Sequence, residues 1–339
     1  MFTNYRTQVS VTADPETIGI LSFFEDWSSP SDLFAFLPQY SKKSLRHAIR
    51  LLLSNTLLVA EGTRGAAADD ELANAWSSWL PEGSFHFATK NVRFQTPSET
   101  ARALRRYLAE SPQPDLAKDY PDSSKIELPK VAAEDGSEFA GVLTSRKTHR
   151  EFSGQPMGLD KIAKLLFYTW GVQGQIDTAQ LGRLFHKTSA SGGARHSIEV
   201  YLLAIRVEGL SQGLYHYNGV HHRLSKLRSV SAKTKAVEYT AGHEFLKDAS
   251  ALFIMTSVFS RVQWKYRFPR AYRVVLLDAG HLCQTFCLVA TWLGLAPFCT
   301  AALKDTLIER DLGIDGIRES ALYIAGAGLA LPDKARKRR

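Results

Sequence analysis

The spacing of apolar residues changes several times along the chain, and each change marks an element. Asp14-Pro15-Glu16 reads as a cap followed by proline at the first helical position, after which Ile18, Ile20, Leu21 and Phe24 share one face of a helix. Ser31 and Asp32 are caps for a short helix ending near Pro38, and Ser41 opens a third over 42–55 with Leu45, Ile49, Leu52 and Leu53 as its stripe. Leu57-Leu58-Val59-Ala60 has the composition of a strand, and 98–110 returns to a helical pattern. Helices are predicted over 139–143 and over 159–170, where Ile162, Leu165, Leu166 and Tyr168 run up to Gly171. Strands are predicted over 198–205, 213–219, 251–257 and 321–325, each apolar and rich in β-branched or aromatic residues. Between the last two, 273–293 is a long apolar helix with His281 and Gln284 as polar exceptions, and 295–302 reads as a loop of small residues.

This order divides the chain into a helical unit at 1–110, a linker at 111–137, a larger unit at 138–332 and a basic tail at 333–339. The linker carries Pro112, Pro114, Pro121 and Pro129 among six carboxylates, a composition that resists a packed core. Three short helices followed by a strand resemble a winged helix, which reads DNA or clasps a peptide by adding it as a strand. The third helix offers Lys42, Lys43, Arg46, His47 and Arg50, but Phe34, Phe36, Leu37 and Pro38 beside it suit a helix held in a core, which argues against nucleic-acid readout.

Composition bounds the rest. With 339 residues, 45% hydrophobic and 22% charged, the chain is ordinary globular protein with a smaller domain beside a larger one. The net charge of +8 favours anions, although the terminal run Lys334 to Arg339 accounts for part of it. The N-terminus lacks the apolar run of a secretory signal, so a cytoplasmic protein is expected. The apolar stretch 282–299 is broken by Gln284, Thr285, Thr291, Gly294 and Pro297, so it suits a buried helix and loop, not a membrane span. Three cysteines supply neither a disulfide framework nor zinc spacing, and no metal is expected.

Three stretches carry chemistry. Arg146, Lys147, Thr148 and Arg150 fall within five residues, and in extended chain Arg146, Thr148 and Arg150 share one face suited to a phosphate or an electron-rich heterocycle. A solvated basic surface has the same composition. The loop 187–197, Lys-Thr-Ser-Ala-Ser-Gly-Gly-Ala-Arg-His-Ser, lets backbone approach a flat ligand closely, yet it has no Walker or Rossmann spacing. Lys265-Tyr266 sits among Arg261, Arg267, Arg270 and Arg273, where crowded positive charge would favour the deprotonated forms needed for proton transfer, and where a surface basic helix is the plain alternative.

In order and spacing these segments resemble the flavin-dependent nitroreductase superfamily over about 140–332, and specifically the SagB-type dehydrogenases that oxidise azolines in ribosomal peptides. Arg146-Lys147-Thr148-His149-Arg150 stands at the family's R-x-S-x-R flavin clamp, Ser191-Gly192-Gly193-Ala194-Arg195-His196 at its P-S-x-G-A loop, and Trp264-Lys265-Tyr266 at the lysine–tyrosine pair of the subgroup. Arg273 to Gln284 resembles the central helix, and Ala301-Ala302 the loop lying against the isoalloxazine. Ala190 and Ser197 depart from the family, which commonly has proline there.

The resemblance implies an α+β, nitroreductase-like domain preceded by a winged-helix-like one, in an intertwined homodimer. It implies FMN held by Arg146, Lys147, Thr148, Arg150, Ser191, Gly192, Gly193, Arg195, Gln284, Ala301 and Ala302, with Lys265 and Tyr266 catalytic. The implied reaction turns a thiazoline or oxazoline of a peptide into the azole, with oxygen reoxidising the flavin and partner biosynthetic enzymes acting on the same peptide. Two other expectations remain: an NAD(P)H-dependent reductase of nitro groups, quinones or activated alkenes on a small molecule, and a leader-peptide- or DNA-binding protein with a flavin-bound scaffold.

Overall fold

The computed structural model describes residues 1–4, 6–7, 9–91, 95–110, 138–178 and 182–331; the predicted linker 111–137 and basic tail 333–339 lie outside them. The chain opens with a hairpin of β1 (Phe2–Asn4) and β2 (Val9–Val11), followed by α1 (Glu16–Phe23), α2 (Pro30–Phe36) and α3 (Lys42–Ser54). Ser29, not Ser31, caps α2: its hydroxyl accepts from the backbone N–H of Asp32, whose carboxylate accepts in turn from that of Ser29. Ser41 caps α3 as predicted, whereas α1 begins after Pro15 with no side-chain cap. Residues 57–60 form no strand; the hairpin lies ahead of the helices, tied to the end of α3 by the Asn4 amide donating to Thr56 O at 2.6 Å. Ile20, Leu33, Leu45, Ile49 and Leu52 make a small core of their own.

The next helices, α4 (Arg64–Trp76) and α5 (Leu80–Ala88), belong elsewhere, and α6 (Pro97–Glu110) follows them. Leu72, Trp76, Trp79 and Phe87 are buried in the main core with residues of the C-terminal half. The Trp76 indole donates to Ile317 O at 3.0 Å, and Lys90 reaches both carboxylate oxygens of Glu309 at 2.7 Å in a nearly water-free setting. A division at residue 110 would cut through this packing; the small core ends near residue 60.

The C-terminal half runs α7 (Glu138–Ser145), α8 (Leu159–Trp170), a hairpin of β3 (Gly174–Thr178) and β4 (Gly182–His186), β5 (Ile198–Ala204), β6 (Gly213–Asn218), β7 (Arg223–Arg228), α9 (Ala232–Tyr239), β8 (Ala251–Val258), α10 (Ser260–Gln263), α11 (Tyr272–Trp292), β9 (Leu295–Thr300), α12 (Asp305–Leu312) and β10 (Glu319–Leu329). Six strands form one antiparallel sheet in the order β7-β6-β5-β8-β10-β9. Strand alternation explains its two covered faces. Ile198, Val200 and Leu202 of β5, with Phe253 and Met255 of β8, point to the layer of α8 and α11, while Tyr201, Leu203, Leu252 and Ile254 point to that of α9 and α12. The predicted 295–302 loop is instead edge strand β9 up to Thr300, paired to β10.

Helix α11 with its preceding turn is apolar and long enough by composition to cross a bilayer, but nine of its residues are buried, several of them against the sheet. Its other face leaves Leu276, Leu277 and Trp292 exposed.

Candidate active site

Two of the three sequence stretches meet in the folded chain. Loop 187–197 is stitched along α11: Ser189 hydrogen-bonds Thr285 at 2.7 Å, His281 contacts Ala190 O at 3.1 Å, and Ser191 Oγ donates to Asp278 Oδ2 at 2.6 Å. Gly192 N–H adds a second bond to Asp278 at 3.1 Å. Asp278 is 3% exposed, and burial raises its pKa against the opposing effect of these two donors. The hydroxyl of Ser191, predicted to face a cofactor, is thus occupied in bracing the loop; it also accepts from His196 N–H. The sequence places Asp278 in the central-helix resemblance without a role, though a carboxylate inside an apolar helix is itself a signal for a buried partner.

Gly193 has φ +62°, and a Cβ placed there would meet Tyr266 Oη at 2.5 Å and Lys265 Nζ at 2.8 Å. The tip of the loop therefore rests on the predicted catalytic pair. The ammonium of Lys265 lies 5.3 Å from the Tyr266 ring centroid, with Lys265 exposed and Tyr266 half-buried. Arg195 donates to Gly193 O at 3.0 Å and lies over the Trp264 ring at 5.4 Å. From below, Trp79 donates its indole N–H to Tyr266 O at 3.2 Å, and Gln263 donates to Ala75 O at 2.8 Å. Nothing local in the sequence predicts this support, because donor and acceptor lie 187 or more residues apart.

Beside the loop is a cavity of about 530 Å³ lined by Arg195, His196, Lys187, Glu199, His216 and Arg261 among others. Burial opposes ionisation of Glu199, but hydrogen bonds from His216 at 2.7 Å and Arg261 at 2.5 Å hold its pKa down to about 2. Lys187 is shifted down by burial. Arg261 is therefore committed to Glu199 and to His196 O.

The basic motif lies at the other end of α11. His149 N–H donates to Pro297 O at 2.9 Å and Ser153 N–H to Leu329 O at 2.9 Å, which seats 146–153 against β9 and the end of β10. The Arg150 guanidinium stands 5.9 Å from the Phe298 ring, and Arg146 is close enough to act on the thiols of Cys287 and Cys299. Arg146, Lys147 and Arg150 have no carboxylate partner among the described residues, and Thr148 is exposed. Such a donor set, cationic and unneutralised, fits a phosphate-bearing group. Gln284 is exposed on α11, and Ala301 and Ala302 begin the segment after β9, Ala302 N–H bonding Thr300 Oγ1 at 3.0 Å. The loop engages α11 from Val274 to Thr285 and the clamp is near Cys287; at ~1.5 Å per residue its start at Ser189, on Thr285, lies roughly 3 Å along the axis from Cys287 and its glycine tip, on Val274, roughly 20 Å.

A helix-flanked antiparallel sheet with these segments defines a nitroreductase-type protein, and residues 143–329 match the Nitroreductase family. The chain belongs to that family, as an oxidoreductase fold related to peptide-processing proteins. It is 26% identical over 340 residues to the trifolitoxin-processing protein TfxB of Rhizobium leguminosarum bv. trifolii, covering 94% of this chain and 90% of that protein. It is 27% identical over 149 residues to the microcin B17-processing protein McbC of Escherichia coli, covering 42% of this chain and 54% of McbC. In the structure of the E. coli microcin synthetase McbBCD complex with truncated pro-MccB17 bound, one chain shares the fold with TM-score 0.50 at 20% identity, over 79% of this chain and 93% of that one.

Proposed function

We propose that the protein is an FMN-dependent dehydrogenase that converts a thiazoline or oxazoline in a precursor peptide to the azole. The observation that carries this reading is the seating of Gly193 against Lys265 Nζ and Tyr266 Oη, which puts a close-approach backbone loop and a proton-transfer pair at one place. Kinship to proteins named for trifolitoxin and microcin processing supports a peptide substrate.

FMN, when bound, supplies the two-electron oxidation. Arg146, Lys147, Thr148 and Arg150 would hold its phosphate, and Gly192, Gly193 and Arg195 would bind its ring system, with Ser191 bracing their loop through Asp278. Tyr266, acting as the phenolate, would take the proton released from the azoline carbon and become the neutral phenol, and the Lys265 ammonium would offset the phenolate charge. Trp79 and Gln263 fix the backbone of this segment so that both groups keep their position.

The working unit in this reading is a homodimer. The clamp near Cys287 and the loop tip at Gly192, against Val274, stand far apart along α11, and the exposed Leu276, Leu277 and Trp292 supply an apolar face for a second copy, whose loop completes each site. The N-terminal unit clasps the leader part of the precursor. In support, a cleft of about 800 Å³ lies between the end of β2 and α3, lined by Val11, Asp14, Lys43, His47 and Leu51, and β2 pairs with β1 alone among the described strands.

The test is turnover of a synthetic azoline peptide, read by the loss of two hydrogens in its mass. Tyr266→Phe with Lys265→Ala should keep the yellow cofactor and lower turnover by roughly 10²- to 10⁴-fold, as for a lost general base. Oxidation at the wild-type rate by the double variant would refute the assignment. Rapid bleaching of the flavin by NAD(P)H, with indifference to both substitutions, would instead identify a small-molecule reductase.

A further inference from the structure

All three cysteines of the chain converge. Cys283 and Cys287 are four residues apart on α11, so they share a face. The chain then reverses at Leu293-Gly294 and β9 runs back along the helix. Strand rise exceeds helix rise, so four steps from Leu295 to Cys299 cover ~13 Å, equal to about nine helical residues, and return Cys299 to the level of Cys283 and Cys287. The three Sγ atoms lie within 4.8 Å of one another, with Cys287 and Cys299 at 3.9 Å. Cys283 and Cys287 are buried and Cys299 half-buried, which leaves one open approach.

Three sulfurs around one ion at ~2.3 Å stand about 4.0 Å apart, close to this spacing. Among the described residues no carboxylate or imidazole joins the cluster, and an all-thiolate set selects soft d10 cations over magnesium or calcium. Three thiolates and a divalent ion leave one negative charge, and Arg146 lies beside Cys287 and Cys299 to offset it. We propose that Cys283, Cys287 and Cys299 form a three-thiolate site for a single thiophilic d10 cation, binding of which releases the thiol protons to solvent and fastens β9 to α11 beneath Arg146.

Cadmium(II), added to the full-length protein after chelation and under a phosphine reductant, is the probe. The expected result is a thiolate-to-cadmium ultraviolet band that saturates at one ion per chain, one bound cadmium by native mass spectrometry, and a raised thermal midpoint. Cys299→Ser, at the most accessible position, should weaken or abolish the band. Two outcomes would each overturn the proposal: no band in the wild type, or a band of equal strength in Cys299→Ser. The wild-type titration decides the matter even where a cysteine variant fails to fold.

Discussion

Replacing Gly193 by alanine separates the position of the Lys265–Tyr266 pair from its chemistry. The backbone at φ +62° charges an alanine roughly 1–2 kcal/mol for the left-handed region, which a protein of about 5–15 kcal/mol total stability tolerates. The new methyl would lie 2.5 Å from Tyr266 Oη and 2.8 Å from Lys265 Nζ. Non-bonded contacts settle at about 3.5–4.0 Å, so both groups must retreat by roughly 1 Å. They are the free ends of side chains and can move, so the displacement falls on the site and not on the fold. A 1 Å misplacement of reacting groups lowers the rate by about 10²-fold. The assay is azoline-peptide turnover at matched flavin content, with Gly62→Ala as the control: that position has φ +73° and nothing within 4 Å of the added methyl. Turnover of Gly193→Ala equal to that of the control would show that the seating of the loop on the pair has no part in the reaction.

Three further outcomes are expected. Arg146→Ala should weaken FMN by roughly ten- to a hundredfold, the worth of a charge-assisted contact of about 1.5–3 kcal/mol, measured by flavin release on dialysis; unchanged occupancy would contradict the clamp. His86 is held neutral, its pKa lowered to about 3 by burial and then by Lys90. Its folded value lies below the unfolded 6.5, so stability is complete above about pH 6.5 and declines as pH falls, by ~2 kcal/mol at pH 5; His86→Phe should flatten that slope in denaturant titrations at pH 7 and 5. Lys90→Met strands the buried Glu309 carboxylate, which also accepts from Ser320, and should cost about 3–5 kcal/mol in unfolding free energy; an unshifted thermal midpoint would mean the pair is replaceable by water.

Periodicity exposed the elements whose two faces differ. Helix α8 and strands β5 and β8 were legible because Ile162, Leu165, Leu166 and the alternating residues of 198–204 meet fixed layers. Strand β9 was not: Pro297 and its small neighbours imitate a loop, and only its place at the sheet edge lets a proline that lacks an N–H sit in a strand. The arginine motif, the glycine loop and Lys265-Tyr266 stood out by composition. Their supports did not, since Trp76 and Trp79 find their acceptors at Ile317 and Tyr266, across most of the chain. Asp278 and Glu199 were hidden differently, as single charges inside apolar runs whose partners come from other elements.

The buried tryptophans of α4 and the turn after it bear on how related enzymes can be recombined. A chimera joined at residue 110 would import foreign α4 and α5, and Tyr266 O and Ile317 O would keep indole donors only where the imported helices carry tryptophan at the same places. A junction at 60–63 cuts a turn and parts the Arg6–Asp69 ion pair, leaving the small core of α1–α3 whole on one side and the support of Lys265 and Tyr266 on the other. If the N-terminal unit holds the precursor as proposed, exchanging it at that seam should change which precursor is bound while the Lys265–Tyr266 support stays in place.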